Sequence, residues 1–178
     1  KKILNMWLKV GDFANTRKHI KMKKIIFILS VLFFSINISA QKSYDEQYMN
    51  AYIVVSDTSQ NYFELRQKMF ELSKVLNTEI DTMGRGFNKE KNLICLPEND
   101  EDEIYAGDYF PRRYPSETLS LEYLIYYTNG KKPTEGTIAI VTIITENKEK
   151  ADKKLAELKK HSEGAFIVNS QIYMGCMH

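Results

Sequence analysis

The stretch Thr137–Thr145, Thr-Ile-Ala-Ile-Val-Thr-Ile-Ile-Thr, most constrains the fold. It is an uncharged, strongly β-branched run, and such residues fit a pleated sheet better than a helix. It reads as a strand. A helix follows over Glu146–Ser162, with Ala151, Leu155 and Leu158 facing inward and lysines around the outside. Gly164 ends that helix. Ala165–Val168 and Gln171–Met174 then form a closing strand, with a break expected at Asn169-Ser170.

The same order occurs earlier in the chain. Ala51–Ser56 reads as a strand, and Asp57–Asn61 supplies residues able to cap a helix. Leu65, Met69, Leu72 and Leu76 recur at helical spacing in Tyr62–Leu76, with Asn77 as the end cap. Thr78–Thr82 is the expected second strand. Two strand–helix–strand units, roughly 51–83 and 137–174, predict an α+β fold. Its expected form is a two-layer sandwich of ferredoxin-like type with an irregular insertion at about 84–136. Within the insertion, Gly84-Arg85-Gly86 is a turn signal and Leu93–Leu96 a short strand stopped by Pro97. Leu119–Tyr127 is apolar and aromatic and fits either helix or strand.

The N-terminal region has a different character. Met22-Lys23-Lys24 precedes the apolar run Ile25–Phe34, and Ser39-Ala40 precedes Gln41. A basic start, a short apolar stretch and a small-residue ending form the pattern of a secretory signal peptide over 22–40. A bilayer-spanning helix needs about 20 apolar residues, more than this run offers. Residues 1–21 are read as sequence upstream of the true start, the alternative being an extended basic leader. The working domain is then 41–178, periplasmic or secreted, with no membrane span after cleavage. Residues 1–40 hold eight of the 25 Lys and Arg and one of the 23 Asp and Glu, so 41–178 carries a net charge of −5. An acidic domain gives no support to nucleic-acid binding, which requires a basic face for phosphates. In an oxidising compartment Cys95 and Cys176 can form one disulfide; two buried thiols are the other reading.

Ala139–Thr145, the turn and helix start Asn147–Asp152, Leu155, Leu158 and the strand Ala165–Val168 resemble one repeat of a SPOR domain. The resemblance covers about 40 residues; the first unit matches in element order only, and the insertion departs from the pattern. It implies a sheet with two helices on one side. It also implies binding of peptidoglycan, specifically glycan strands stripped of their stem peptides. The ending Tyr173–His178 is similar to that of a group of small exported bacterial proteins, which implies export and no activity.

Two segments could carry chemistry. Asp100, Asp102 and Glu103 lie in an acidic run of calcium-type oxygen ligands, although the run lacks EF-hand spacing. Tyr105, Tyr109, Arg112, Arg113 and Tyr114 lie in a loop rich in aromatics, arginine and proline. Tyrosine faces and guanidinium groups suit a sugar polymer bearing carboxylates. In the competing reading the rings tuck under the loop as a small core and both arginines pair with the acidic run. No G-x-S-x-G, H-E-x-x-H or P-loop is present. His161 lies on a lysine-rich face, and His19 and His178 lie in the leader and at the last position. The expectation is a non-enzymatic binding module without a cofactor. Its partner is cell-wall glycan or a periplasmic protein, with calcium stabilisation as a further alternative.

Overall fold

The computed structural model describes residues 47–129 and 133–175. Both expected N-terminal segments, 1–21 and 22–40, and Cys176 lie outside the described residues. The described residues from Tyr48 onward form one compact body.

β1 (Tyr48–Ser59) leads through Asn61 into α1 (Tyr62–Leu76). The Asn61 side chain accepts from the amides of Phe63 and Glu64 at 3.1 and 3.2 Å, supplying partners that the first turn of a helix lacks. α1 buries Leu65 and Met69 and ends at Asn77, which takes the left-handed conformation at φ 48°. A small hairpin follows, β2 (Gly86–Asn88) and β3 (Leu93–Cys95). β4 (Ser120–Tyr123) runs into a 3-10 turn, Leu124–Tyr127. β5 (Ile138–Thr145), α2 (Lys148–Leu158) and β6 (Phe166–Tyr173) complete the chain. Asn147 caps α2 by accepting from the Lys150 amide at 2.8 Å.

The main sheet has the order β4-β5-β1-β6 with every neighbour antiparallel. Each helix therefore links two strands separated by one intervening strand: β5 lies between β1 and β4, and β1 between β5 and β6. Both helices cover one face. Leu65 and Met69 of α1 pack with Leu121, Ile138 and Ile140, while Ala151 and Leu158 of α2 pack with Val54 and Ile143. Leu72 touches both groups.

The mixed α+β class is as expected, but three expectations are corrected. The first unit's second strand is β4, not Thr78–Thr82, where Ile80 makes only an isolated bridge to Leu119. Polar Asp81 and Thr82 and the positive φ of Met83 end the extended path, whereas Leu119 and Leu121 are buried. The long excursion, residues 77–119, thus lies inside the first unit and not between the units. β6 is continuous through Asn169-Ser170. Its outer edge is bonded by the Asn129 side chain, which accepts from the Gln171 amide at 3.2 Å and donates to the Asn169 carbonyl at 3.3 Å. The face away from the helices is covered as well. All eight residues of β5 are buried. Ala139 and Val141 lie under Leu124 and Tyr127 of the 3-10 turn. An uninterrupted β-branched run has no polar set to present to water, so a sheet built on it must be covered on both sides.

The β1–β5 ladder also carries two bulges. Thr142 is the extra residue on β5, and its hydroxyl donates to the Val54 carbonyl at 3.0 Å. Ser56-Asp57 opposes a single residue of β5 on the other side of Val55. The second bulge offsets the first and restores the register at Thr58 and Ser59.

Candidate functional site

Glu122 is the one carboxylate on β4, and it is completely buried. Arg85 meets it with two hydrogen bonds, Nη2 to Oε1 at 2.6 Å and Nη1 to Oε2 at 3.0 Å. Oε2 also accepts from the Tyr109 hydroxyl at 2.7 Å and the Arg112 amide at 3.2 Å. The remaining Arg85 donors reach the carbonyls of Thr82 and Phe110 at 3.1 and 2.6 Å. The guanidinium lies 5.0 Å from the ring centre of Tyr109 and 5.7 Å from that of Phe110. Arg85 reaches this position because Met83 and Gly84 both take positive φ and the chain turns sharply between Thr82 and Arg85.

Burial alone would raise the pKa of Glu122, but the Arg85 contact overrides it and holds the carboxyl below its ordinary value. Burial alone would likewise lower that of Arg85; pairing with Glu122 holds it above the ordinary value. Desolvation, and then the Glu122 charge, push the Tyr109 and Tyr127 phenols well above theirs. The cluster is a mutually neutralised pair surrounded by neutral phenols.

Arg112 is also fully buried. Its Nη1 donates to the carbonyl and hydroxyl of Thr118 at 2.8 and 2.7 Å, and its own carbonyl accepts from Tyr127 at 2.8 Å. Its Nε and Nη2 have no partner among the described residues, and burial lowers its pKa. Arg113 points elsewhere and donates to the carbonyls of Tyr173 and Gly175 at 3.2 and 3.1 Å. Among the described residues neither arginine pairs with the acidic run. The competing reading, in which both arginines pair with the acidic run, is therefore corrected: residues adjacent in an extended segment face opposite ways, and each guanidinium finds its partners elsewhere. Tyr105 is half-buried beside the Phe110 ring at 5.2 Å. Tyr114 is exposed and donates to Asp81 at 2.7 Å.

The acidic run binds its own backbone. Asp100 accepts from the Asp102 amide at 3.0 Å, Asp102 from the Ile104 amide at 3.2 Å, and Glu98 pairs with Lys91. Glu103 is exposed. Among the described residues no three His, Cys, Asp or Glu side chains converge as a metal set. Cys95 is buried in β3; its expected partner Cys176 lies outside the described residues. Among the described residues no helix is long and apolar enough to cross a membrane.

The network supports a surface that the sequence did not single out. Tyr109 lies 4.8 Å from Tyr123 and 5.1 Å from Tyr126, centre to centre. Tyr126 is 54% exposed and Ile125 50% exposed. Tyr123 is locked from beneath, its hydroxyl accepting from the Ile94 amide and its amide donating to Tyr109. The outer rings thus rest on an aromatic layer fixed by hydrogen bonds. Arg85, Glu122, Tyr126 and Tyr127 were missed as functional candidates. The available signal was a lone Glu inside the apolar run Leu119–Tyr127, since a buried carboxylate requires a cationic partner. No family model matches the chain, and neither a curated protein nor a solved structure does.

Proposed function

We propose that the chain is an exported, non-enzymatic binding module of ferredoxin-like, SPOR-like architecture. Its ligand is a polymer with flat apolar faces, cell-wall glycan being the first candidate. The order β4-β5-β1-β6, with both helices on one face, supports the architectural reading. The observation that carries the functional reading is the Tyr126 ring, exposed and packed at a tilt against Tyr109, whose hydroxyl is bonded to Glu122. Rings held rigid before contact lose little freedom on binding, and an exposed tyrosine offers both a stacking face and a polar tip. The ligand surface is thus moved from the arginine pair to the Tyr109–Tyr126 ledge. Retention of the protein on purified sacculi, before and after amidase removal of stem peptides, tests the proposal. Greater retention on the stripped glycan is expected, reduced by Tyr126→Ala with an unchanged melting temperature. Equal and negligible retention on both would overturn it.

A further inference from the structure

A cavity separate from the aromatic ledge opens between α1 and α2 above the Ser56-Asp57 bulge, with a volume of about 520 Å³. That volume is within the range of small-molecule sites. Its floor is Ser56 and Ile140, both buried. Ser56 Oγ is enclosed by protein and has no hydrogen-bond partner among the described residues. Buried hydroxyls are ordinarily bonded, and this one belongs to a residue lining the cleft, where rotation of its side chain would turn the hydroxyl toward a ligand. The bulge explains its placement: the extra residues of β1 leave the ladder and turn Ser56 out of the regular pairing. The far side of the bulge is fixed. Ser162, just beyond α2, donates to the Ser56 carbonyl at 2.6 Å, and Asp57 is held by Lys68 at 3.0 Å.

The walls sort by chemistry. Leu72 and Val75 form an apolar side, and Val75 is 58% exposed, a large apolar group left facing water at the mouth. Glu71 contributes a carboxylate that accepts from the neutral Gln67 amide at 3.0 Å. Lys160 and His161 lie exposed at the opposite rim and carry no ion pair among the described residues. An anion and a cation without counter-charges among the described residues, an apolar wall and a buried hydroxyl match a small zwitterion with an apolar body. We propose that this cleft binds an apolar amino acid or a short apolar peptide. Its carboxylate lies toward Lys160 and its ammonium toward Glu71. Ser56 Oγ bonds a polar atom of the ligand's backbone, and the side chain rests on Leu72 and Val75.

NMR titration of the intact protein tests this with four probes. Leucine carries all the features; glycine lacks the apolar body, 4-methylpentanoate the ammonium and isopentylamine the carboxylate. Leucine should bind saturably and about tenfold or more tighter than each of the others, the factor expected for one charge-assisted contact or one apolar side chain. Lys160→Gln should remove the advantage of leucine over isopentylamine and leave isopentylamine itself unchanged. Ser56→Ala should weaken leucine about tenfold while the melting temperature holds or rises, because it deletes a buried hydroxyl that has no partner in the fold. Leucyl-leucine binding tighter than leucine identifies a peptide as the ligand, and weaker binding a free amino acid. Leucine binding no better than glycine, or a Ser56→Ala protein that binds leucine as before, would overturn the proposal.

Discussion

The two strand–helix–strand units reach the same sheet by different physical means. In β5–α2–β6 the connections are short, and the helix is seated by apolar contact: Ala151 and Leu158 on Val54 and Ile143. In β1–α1–β4 the chain travels through residues 77–119 before the second strand pairs. The closure entropy of that excursion grows only slowly with length, so its cost is modest. What requires explanation is its fixed path, and this is set by Arg85 and Glu122. The pair joins the start of the excursion to β4, and Tyr109 and the Arg112 amide attach its later part to the same carboxylate. A unit closed by apolar contact tolerates imperfect neighbours; one closed on a buried charge does not, because removing either partner strands the other.

The sharpest way to break this comparison is Glu122→Gln. It leaves the Arg85 charge buried without its carboxylate and should cost about 3–5 kcal/mol in urea unfolding. A loss below about 1 kcal/mol would mean that the ion pair does not hold the excursion. Leu158→Ala should cost about 2–5 kcal/mol through a cavity under α2, with the local amide exchange of 77–119 unchanged. Exchange that rises in both regions would show the two units to be one cooperative body. The two buried arginines provide a finer contrast. Arg112→Met removes a guanidinium two of whose nitrogens lack partners, so it should cost less than Arg85→Met, by about 2 kcal/mol or more. The same urea measurement checks it, and equal costs would remove the distinction.

Acid should act through the same carboxyl. Glu122 has a folded pKa below its ordinary 4.5, so its contribution is complete above that value. It is lost as pH falls through the lower, folded value. The melting temperature should therefore drop below about pH 4.5, and Glu122→Gln should flatten that part of the profile. At the other extreme, Tyr109 and Tyr127 have folded values well above 10.0, so stability should begin to fall as pH rises past 10.0. The smallest expected effects are at the helix starts. Asn61→Ala and Asn147→Ala should each cost about 1 kcal/mol by thermal or urea unfolding. Near-equality of the two would confirm that the units differ in how they close and not in how their helices begin.

Much of the second unit was legible because its signals are local. The β-branched run of β5 and the inward Ala151 and Leu158 are each decided within a few residues, whereas the helix begins at Lys148 after its Asn147 cap and not at Glu146. The bounds of α1, Tyr62–Leu76, followed from the Leu65–Leu76 spacing and the Asn caps for the same reason. Thr78–Thr82 misled because its short polar-flanked pattern fits a strand, while pairing depended on whether a better apolar segment competed for the edge of β5. Leu119–Leu121 did. The aromatic–arginine loop was rightly singled out as unusual, but sequence adjacency suggested that Arg112 and Arg113 act together. Their destinations, Thr118 and the end of β6, are distant in the chain or set by the direction of the backbone. The cleft over Ser56 gave no sequence signal, because a bulge is defined by the register of two strands.

The amino-acid sequence by itself determined which segments are strands and helices in the second unit, where α1 starts, and that a sheet built on Ile138–Thr145 has to be buried. These follow from propensity, periodicity and side-chain polarity, which act over a few residues. Only the tertiary structure decided which strand lies beside β5, which cation neutralises Glu122, and which tyrosines face solvent. Those outcomes depend on competition among segments far apart in the chain for the same edge, the same buried charge and the same covered face.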